Sequence, residues 1–311
     1  MGSNIFSAPF KTSRFTPIFS DVIVAGNYAY GVIWDAVNDT YQTGFYEDGI
    51  FTAQALASFP IQEQMKRCLL LDSGSVNYFL LSTNSTKKAD GSAATLTGAD
   101  GQVMVRIPKF HYIQAQNGNY RYFFIGEKPF WITLADASIA TSAIHPAFYK
   151  GSSSIPSAYR YIGAYEGSMY DTSASAMVDA ANIVTSLYAS GDKMCSISGV
   201  YPKTNETIVE FRAMATARGT GWHQFDHAMQ SAVAMLYITE KGTLRSQAAI
   251  GNGRVSLANG DWVASEIHDG VNYGYIGKCG LSNAIGNATG ANNEATNLTL
   301  AESPAYMSYR G

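Results

Sequence analysis

Apolar residues recur at helical spacings of three and four within residues 207 to 241, and much of the remaining sequence reads as strand alternation, aromatic runs and turn-forming residues. That contrast predicts a mixed α+β chain in which two helices stand beside many short strands. In "TIVEFRAMATARG", Thr207 and Glu210 match a capping box, while Phe211, Met214 and Ala215 make an apolar stripe. Gly219 stands where a left-handed residue would stop this helix, predicted over 207 to 218. A second helix is predicted from about His223 to Lys241, with Phe225, Met229, Ala232, Val233 and Leu236 facing the core and Gly242 ending it.

The strands are marked by their turns. "YAYGVIWD" (Tyr28 to Asp35) is the first, and Asp72-Ser73-Gly74-Ser75 separates two strands of a hairpin. Asp100-Gly101 marks a further turn. Asn117-Gly118, between "HYIQAQ" and "NYRYFFI", predicts a type I′ hairpin with positive φ at both central residues. In "YRYIGAYEG" the period of two puts Tyr159, Tyr161, Gly163 and Tyr165 on one face. This pattern divides the chain into a β-rich N-terminal segment, residues 1–60, and a larger domain, 61–311, with a β-hairpin insert at about 68–130. Beyond Gly242 come about seventy residues of short strands and long loops, rich in Gly, Asn, Ser and Thr.

Charged residues are 14% of the sequence and the net charge is −3, with no Lys/Arg-rich run, which argues against a nucleic-acid or anionic-membrane partner. No apolar run approaches the ~18 residues that span a bilayer, and the N-terminus lacks the apolar core of a signal peptide. The three cysteines, Cys68, Cys195 and Cys279, are far apart and odd in number, the pattern of buried free thiols. Sequons at Asn38, Asn84, Asn205, Asn287 and Asn297 follow from composition, and no glycosylation is expected.

"RGTGWHQFDH" (Arg218 to His227) sets His223 and His227 four residues apart around Asp226, a spacing that zinc enzymes use on a helix. No spacing nominates His111, His145 or His268 as a third ligand, and no nucleophile motif accompanies the pair. Packing and capping at a helix start is the reading that remains. No metal, cofactor or enzymatic activity is expected. The C-terminal third instead combines Trp and Tyr with Ser, Gly and Asn, the composition of a binding surface with rigid aromatic anchors beside adaptable polar groups. Trp262, Tyr273, Tyr275, Asn283, Asn287, Asn292, Asn293, Asn297 and Tyr306 are its candidate ligand-binding residues.

The blocks "RCLLLDSGSVNYFL", "STKKADGSAATLTGADGQVMVRIPKF", "HPAF", "YRYIGAYEGSMYD", "EFRAMATARGTGWHQFDHAMQSAVAMLYITE", "SQAAIGNG" and "AYMSYRG", in this order, resemble phage and prophage tail proteins. Their C-terminal domain has a C-type-lectin-like fold, related to that of formylglycine-generating enzymes. Several members are similar to variable proteins of diversity-generating retroelements. The resemblance implies a receptor-binding or adhesin role on a virion tail, or outside the cell on a prophage-derived particle. It implies a host surface protein or glycan as ligand, other tail proteins as neighbours, and a homo-oligomer, with a trimer among the expected forms. In such retroelements Asn codons become variable positions, which would suit Asn283 to Asn297.

Family members continue past the "YRG" block into an Asn-x-x-Gly-Asn-x-Trp segment. A chain ending at Gly311 is expected to be truncated or to close its sheet differently. The calcium and sugar triplets of animal lectins and the paired reactive cysteines of the enzymes are absent, so neither activity is carried over. The alternatives are a structural tail or head decoration, a glycan-active enzyme with two facing carboxylates, and a copper- or zinc-dependent oxidase.

Overall fold

The computed structural model describes residues 28–151, 153–178, 187–200, 202–246 and 249, with the short strands at 267–268 and 271–272. In chain order these residues form β1 (Ala29–Asp35), β2 (Thr40–Glu47), β3 (Ile50–Ala53), α1 (Pro60–Glu63), β4 (Lys66–Leu70), β5 (Val76–Leu81) and β6 (Asn84–Lys88). There follow β7 (Gln102–Pro108), β8 (His111–Asn117), β9 (Tyr120–Gly126), β10 (Trp131–Thr133), β11 (Ile139–Thr141), β12 (Ala143–Ile144) and a 3-10 turn, Pro146–Phe148. The remainder are β13 (Tyr159–Gly163), β14 (Ser168–Asp171), β15 (Ala176–Val178), β16 (Lys193–Cys195), α2 (Ile208–Thr216), α3 (His227–Lys241), β17 (Ile267–His268) and β18 (Val271–Asn272). The fold is mixed α+β, with few helices and mostly antiparallel sheets.

Two compact units divide the chain. The first draws on the described parts of residues 1–64, 108–160 and 227–244. Its sheet runs β12-β8-β9-β1-β2-β3, so strands from the N-terminal sixty residues share one ladder with strands of 111–144. β1 sits between β9 and β2 because residues 29 to 33 of "AYGVIWD" are buried on both faces of the pleat. On one face Ala29, Ile33, Tyr46, Ile113, Tyr122 and Phe124 gather with Phe130 and Ile132 into a core cluster. On the other, Tyr30 donates from its hydroxyl to Gln62 Oε1 (2.5 Å), and Gln62 Nε2 donates to Leu236 O (2.9 Å) and Thr239 Oγ1 (3.1 Å) on α3. The predicted apolar stripe of α3 holds for Met229, Ala232 and Leu236, all buried, and Gly242 (φ +65°) ends the helix against Thr43.

The second unit comprises the described parts of residues 65–107, 161–226 and 245–311. It contains the sheet β13-β7-β4-β5-β6 and the three-stranded sheet β15-β14-β16. The predicted hairpin about Asp72 to Ser75 joins β4 to β5, where Leu71 N donates to Ser75 O at 2.9 Å. Apolar packing includes small groups: Cys68, Leu70 and Met104; Leu69, Leu80 and Val103; Met169, Val178 and Met214. α2 begins with the expected capping box, Thr207 Oγ1 accepting from Glu210 N and the Glu210 carboxylate accepting from Thr207 N at 2.7 Å.

Several expectations are corrected. α3 starts at His227, one turn later than predicted, so Phe225 lies in the preceding loop and is 49% exposed. Phe211 is half-buried against the Met169–Val178–Met214 group. The hairpin at Asn117-Gly118 forms, but Asn117 pairs with Tyr120, so Gly118 and Asn119 are the loop. Positive φ falls on Gly118 (+55°) and not on Asn119, the pattern of a type II′ connection: the last rung of the ladder claims Asn117. β13 ends at Gly163, so the alternation predicted there holds for Tyr159, Tyr161 and Gly163 and stops short of Tyr165; Arg160, between the tyrosines, is buried while Tyr159 is exposed.

Candidate functional site

Trp262, Tyr273, Tyr275, Asn283, Asn287, Asn292, Asn293, Asn297 and Tyr306 all lie outside the described residues. Cys279 does too, whereas Cys68 and Cys195 are buried free thiols as expected. Burial pushes the Cys68 thiol up to about 12. It raises that of Cys195 as well, against the opposing pull of Arg218.

The "RGTGWHQFDH" stretch is an attachment device in the second unit. Arg218, 8% exposed, donates from Nη1 to Asp72 Oδ1 (2.6 Å), from Nε to Met194 O (2.6 Å) and from Nη2 to Cys195 Sγ (2.9 Å). Such a rigid fork of donors suits a guanidinium and no other side chain. Trp222 Nε1 donates to Asp72 O at 3.0 Å. Gly219 is required on two counts: a Cβ there would meet the same carbonyl at 2.7 Å, and its φ of +153°, away from the left-handed helical value predicted for a cap, is one that L side chains rarely adopt. The chain leaving α2 is thereby fixed to the β4–β5 turn. The Asp72 carboxylate stays half-exposed, 3.6 Å from Lys193 Nζ.

His223 precedes α3 and His227 is its first residue, so they share no helical face. His223 is exposed, its Nδ1 2.8 Å from Gln224 O and 3.9 Å from the Asp226 carboxylate. Among the described residues, no three His, Cys, Asp or Glu side chains converge as a metal site would require.

Two further buried polar groups carry no signal that spacing could have shown. Lys203 and Glu206 form an ion pair at 2.9 Å with side chains 0% and 2% exposed, and Glu206 Oε1 also accepts from Tyr188 N at 2.9 Å. His145, in the "HPAF" block, is 1% exposed in the first unit. Its Nδ1 accepts from Ala147 N (3.3 Å), and its ring lies 4.6 Å from that of Tyr112 and 5.4 Å from that of Phe110. Burial lowers its pKa to about 4, so the ring is neutral near pH 7.

One surface cluster stands out in the first unit. Register places Tyr41, Trp34, Arg121 and Gln116 in a single row across β2, β1, β9 and β8, hence on one face near the hairpin tips. The Trp34 and Tyr41 rings are nearly parallel (12°), 6.1 Å apart and half-exposed. Trp34 Nε1 donates to Asp39 Oδ1 at 3.1 Å, and Arg121 Nη1 donates to Gly118 O at 3.0 Å. The signal in the sequence is the pair of aromatics, Trp34 and Tyr41, flanking the polar turn "DAVNDT".

Comparison of the chain with family models, with curated proteins and with solved structures finds no significant match.

Proposed function

We propose that this protein is a receptor-binding or adhesin component of a phage tail or tail-like particle, presenting a ligand-binding surface on a C-type-lectin-like scaffold. The reading rests on one observation, the ordered series of sequence blocks running from about residue 60 to Gly311. The mixed α+β, mainly antiparallel fold is compatible with it. The Arg218–Asp72–Trp222 tie supports it further, because a binding surface on loops needs a framework whose connections are fixed. The function is binding and not catalysis. The ligand is a host cell-surface protein or glycan, met at the virion surface by a homo-oligomer, with Trp262, Tyr273 and Tyr275 as anchors and the asparagines from 283 to 297 setting specificity.

The test is whole-cell binding of the labelled full chain to a panel of bacterial strains. Trp262→Ala, Tyr273→Ala or Tyr275→Ala abolishes attachment while leaving the melting temperature nearly unchanged. A library at Asn283, Asn287, Asn292 and Asn293, sorted separately for folding and for binding, retains folding and shifts the strains bound. If most substitutions abolish folding, those asparagines are structural turn residues and the reading fails.

A further inference from the structure

We propose that the paired tips of the β1–β2 and β8–β9 hairpins form a saccharide site, taking a neutral hexopyranose unit of a polysaccharide on Trp34 and Tyr41. The residues of this site are other than those from 262 to 306, and it does not depend on their role.

The two rings, 6.1 Å apart and 12° from parallel, are too close for a sugar to enter between them but offer adjoining aromatic surface. A half-exposed aromatic pair is the natural partner for the C–H face of a pyranose, which is apolar in the middle and polar at its rim. The rim is met by Arg121 and Gln116, next in the same row, whose planar guanidinium and amide groups can each address two neighbouring hydroxyls. Charge selects a neutral ligand. Arg121 shares the tip with the carboxylates of Asp35, opposite Tyr120 in the ladder, and Asp39, bound to Trp34, so there is no surplus of positive charge to hold an acidic sugar.

The site is also pre-organised, which limits the ordering cost of binding a weakly interacting ligand. Asp35 accepts from Val37 N (3.0 Å) and from Asn38 Nδ2 (2.7 Å), closing the first tip. Asp39, at φ +50°, fixes the indole of Trp34. Ala36 N donates to Asn119 O at 3.0 Å, which joins the first tip to the second.

Isothermal titration of the full chain with maltohexaose, cellohexaose and mannohexaose tests the proposal. At least one gives saturable binding, accompanied by a change in tryptophan emission. Trp34→Ala and Arg121→Ala each weaken it by about tenfold or more, whereas Ile155→Ala, at an exposed position outside the row, leaves it unchanged. Circular dichroism checks the fold of each variant, and if Trp34→Ala does not fold, Tyr41→Ala and Arg121→Ala decide. The proposal is overturned if none of the three hexasaccharides binds saturably, or if folded variants of the row bind as the parent does.

Discussion

The two units tie their helices down by different chemistry. In the first, α3 is held to α1 and β1 by neutral groups: Tyr30, Gln62 and Thr239, all buried and bonded to one another or to backbone. In the second, the ties about α2 are ionic: Arg218 with Asp72 beyond its C-terminus, Lys203 with Glu206 before its N-terminus. Neutral donors and acceptors ask only to be satisfied, and an amide such as that of Gln62 can satisfy several partners at small cost. Buried ions demand a specific counter-charge, so they fix which loop meets which. Where the apolar groups are small, as around Met214, that specificity substitutes for packing area.

The largest expected effect breaks the ionic side of this contrast. Glu206→Gln leaves Lys203 buried against a neutral partner and should cost about 3 to 5 kcal/mol, measured by denaturant unfolding. Replacing both, Lys203→Met with Glu206→Leu, should cost much less than Glu206→Gln alone, since no charge is then stranded. If the double variant is the less stable, the pair contributes net attraction and not only specificity.

On the neutral side, Gln62→Leu removes the acceptor of the Tyr30 hydroxyl and the donor to Thr239 Oγ1 and Leu236 O at once, with an expected cost of about 1 to 3 kcal/mol that does not vary with salt. A comparable loss that shrank in high salt would erase the distinction between the units.

His145 sharpens the comparison by pH. It is the buried group of the first unit that titrates near neutrality in the unfolded chain, at about 6.5, but only at about 4 when folded. Below pH 6.5 the unfolded state takes up the proton first, so stability is constant above that value and is lost as pH falls toward 4, by about 2 to 3 kcal/mol. His145→Asn keeps an acceptor for Ala147 N and reduces that slope, leaving the part due to His111, whose pKa is also lowered by burial and by Lys109. Unfolding midpoints at pH 7.5, 5.5 and 4.5 for both proteins check the difference.

What was legible in the sequence is what depends on local spacing. Thr207 and Glu210 are three residues apart, so their capping box could be read directly, as could the stripe of Met229, Ala232 and Leu236. The start of α3 was not, because Phe225 continues the apolar period by chance through four residues that fold as a loop. Gln62, Arg218 and the Tyr41–Trp34–Arg121–Gln116 row were out of reach for another reason. Arg218 meets Asp72 across 146 positions, and Gln62 meets Thr239 across 177. Such partners are fixed by the packing of elements distant in the chain, and the row by strand register, neither of which one sequence displays.

The smallest effect belongs to the surface counterpart of the buried ions. His223 and Asp226 stand 3.9 Å apart, with side chains 44% and 46% exposed. Water screens such a pair, and ordering two exposed side chains offsets most of its attraction, so His223→Ala should change stability by less than about 1 kcal/mol. The same i,i+3 spacing in the interior, at Lys203 and Glu206, brings the charged groups to 2.9 Å out of water and is expected to matter several times more. A loss at His223 as large as that of Glu206→Gln, or release of a metal ion from the parent on substitution, would show that the "WHQFDH" loop holds something that burial and spacing alone do not account for.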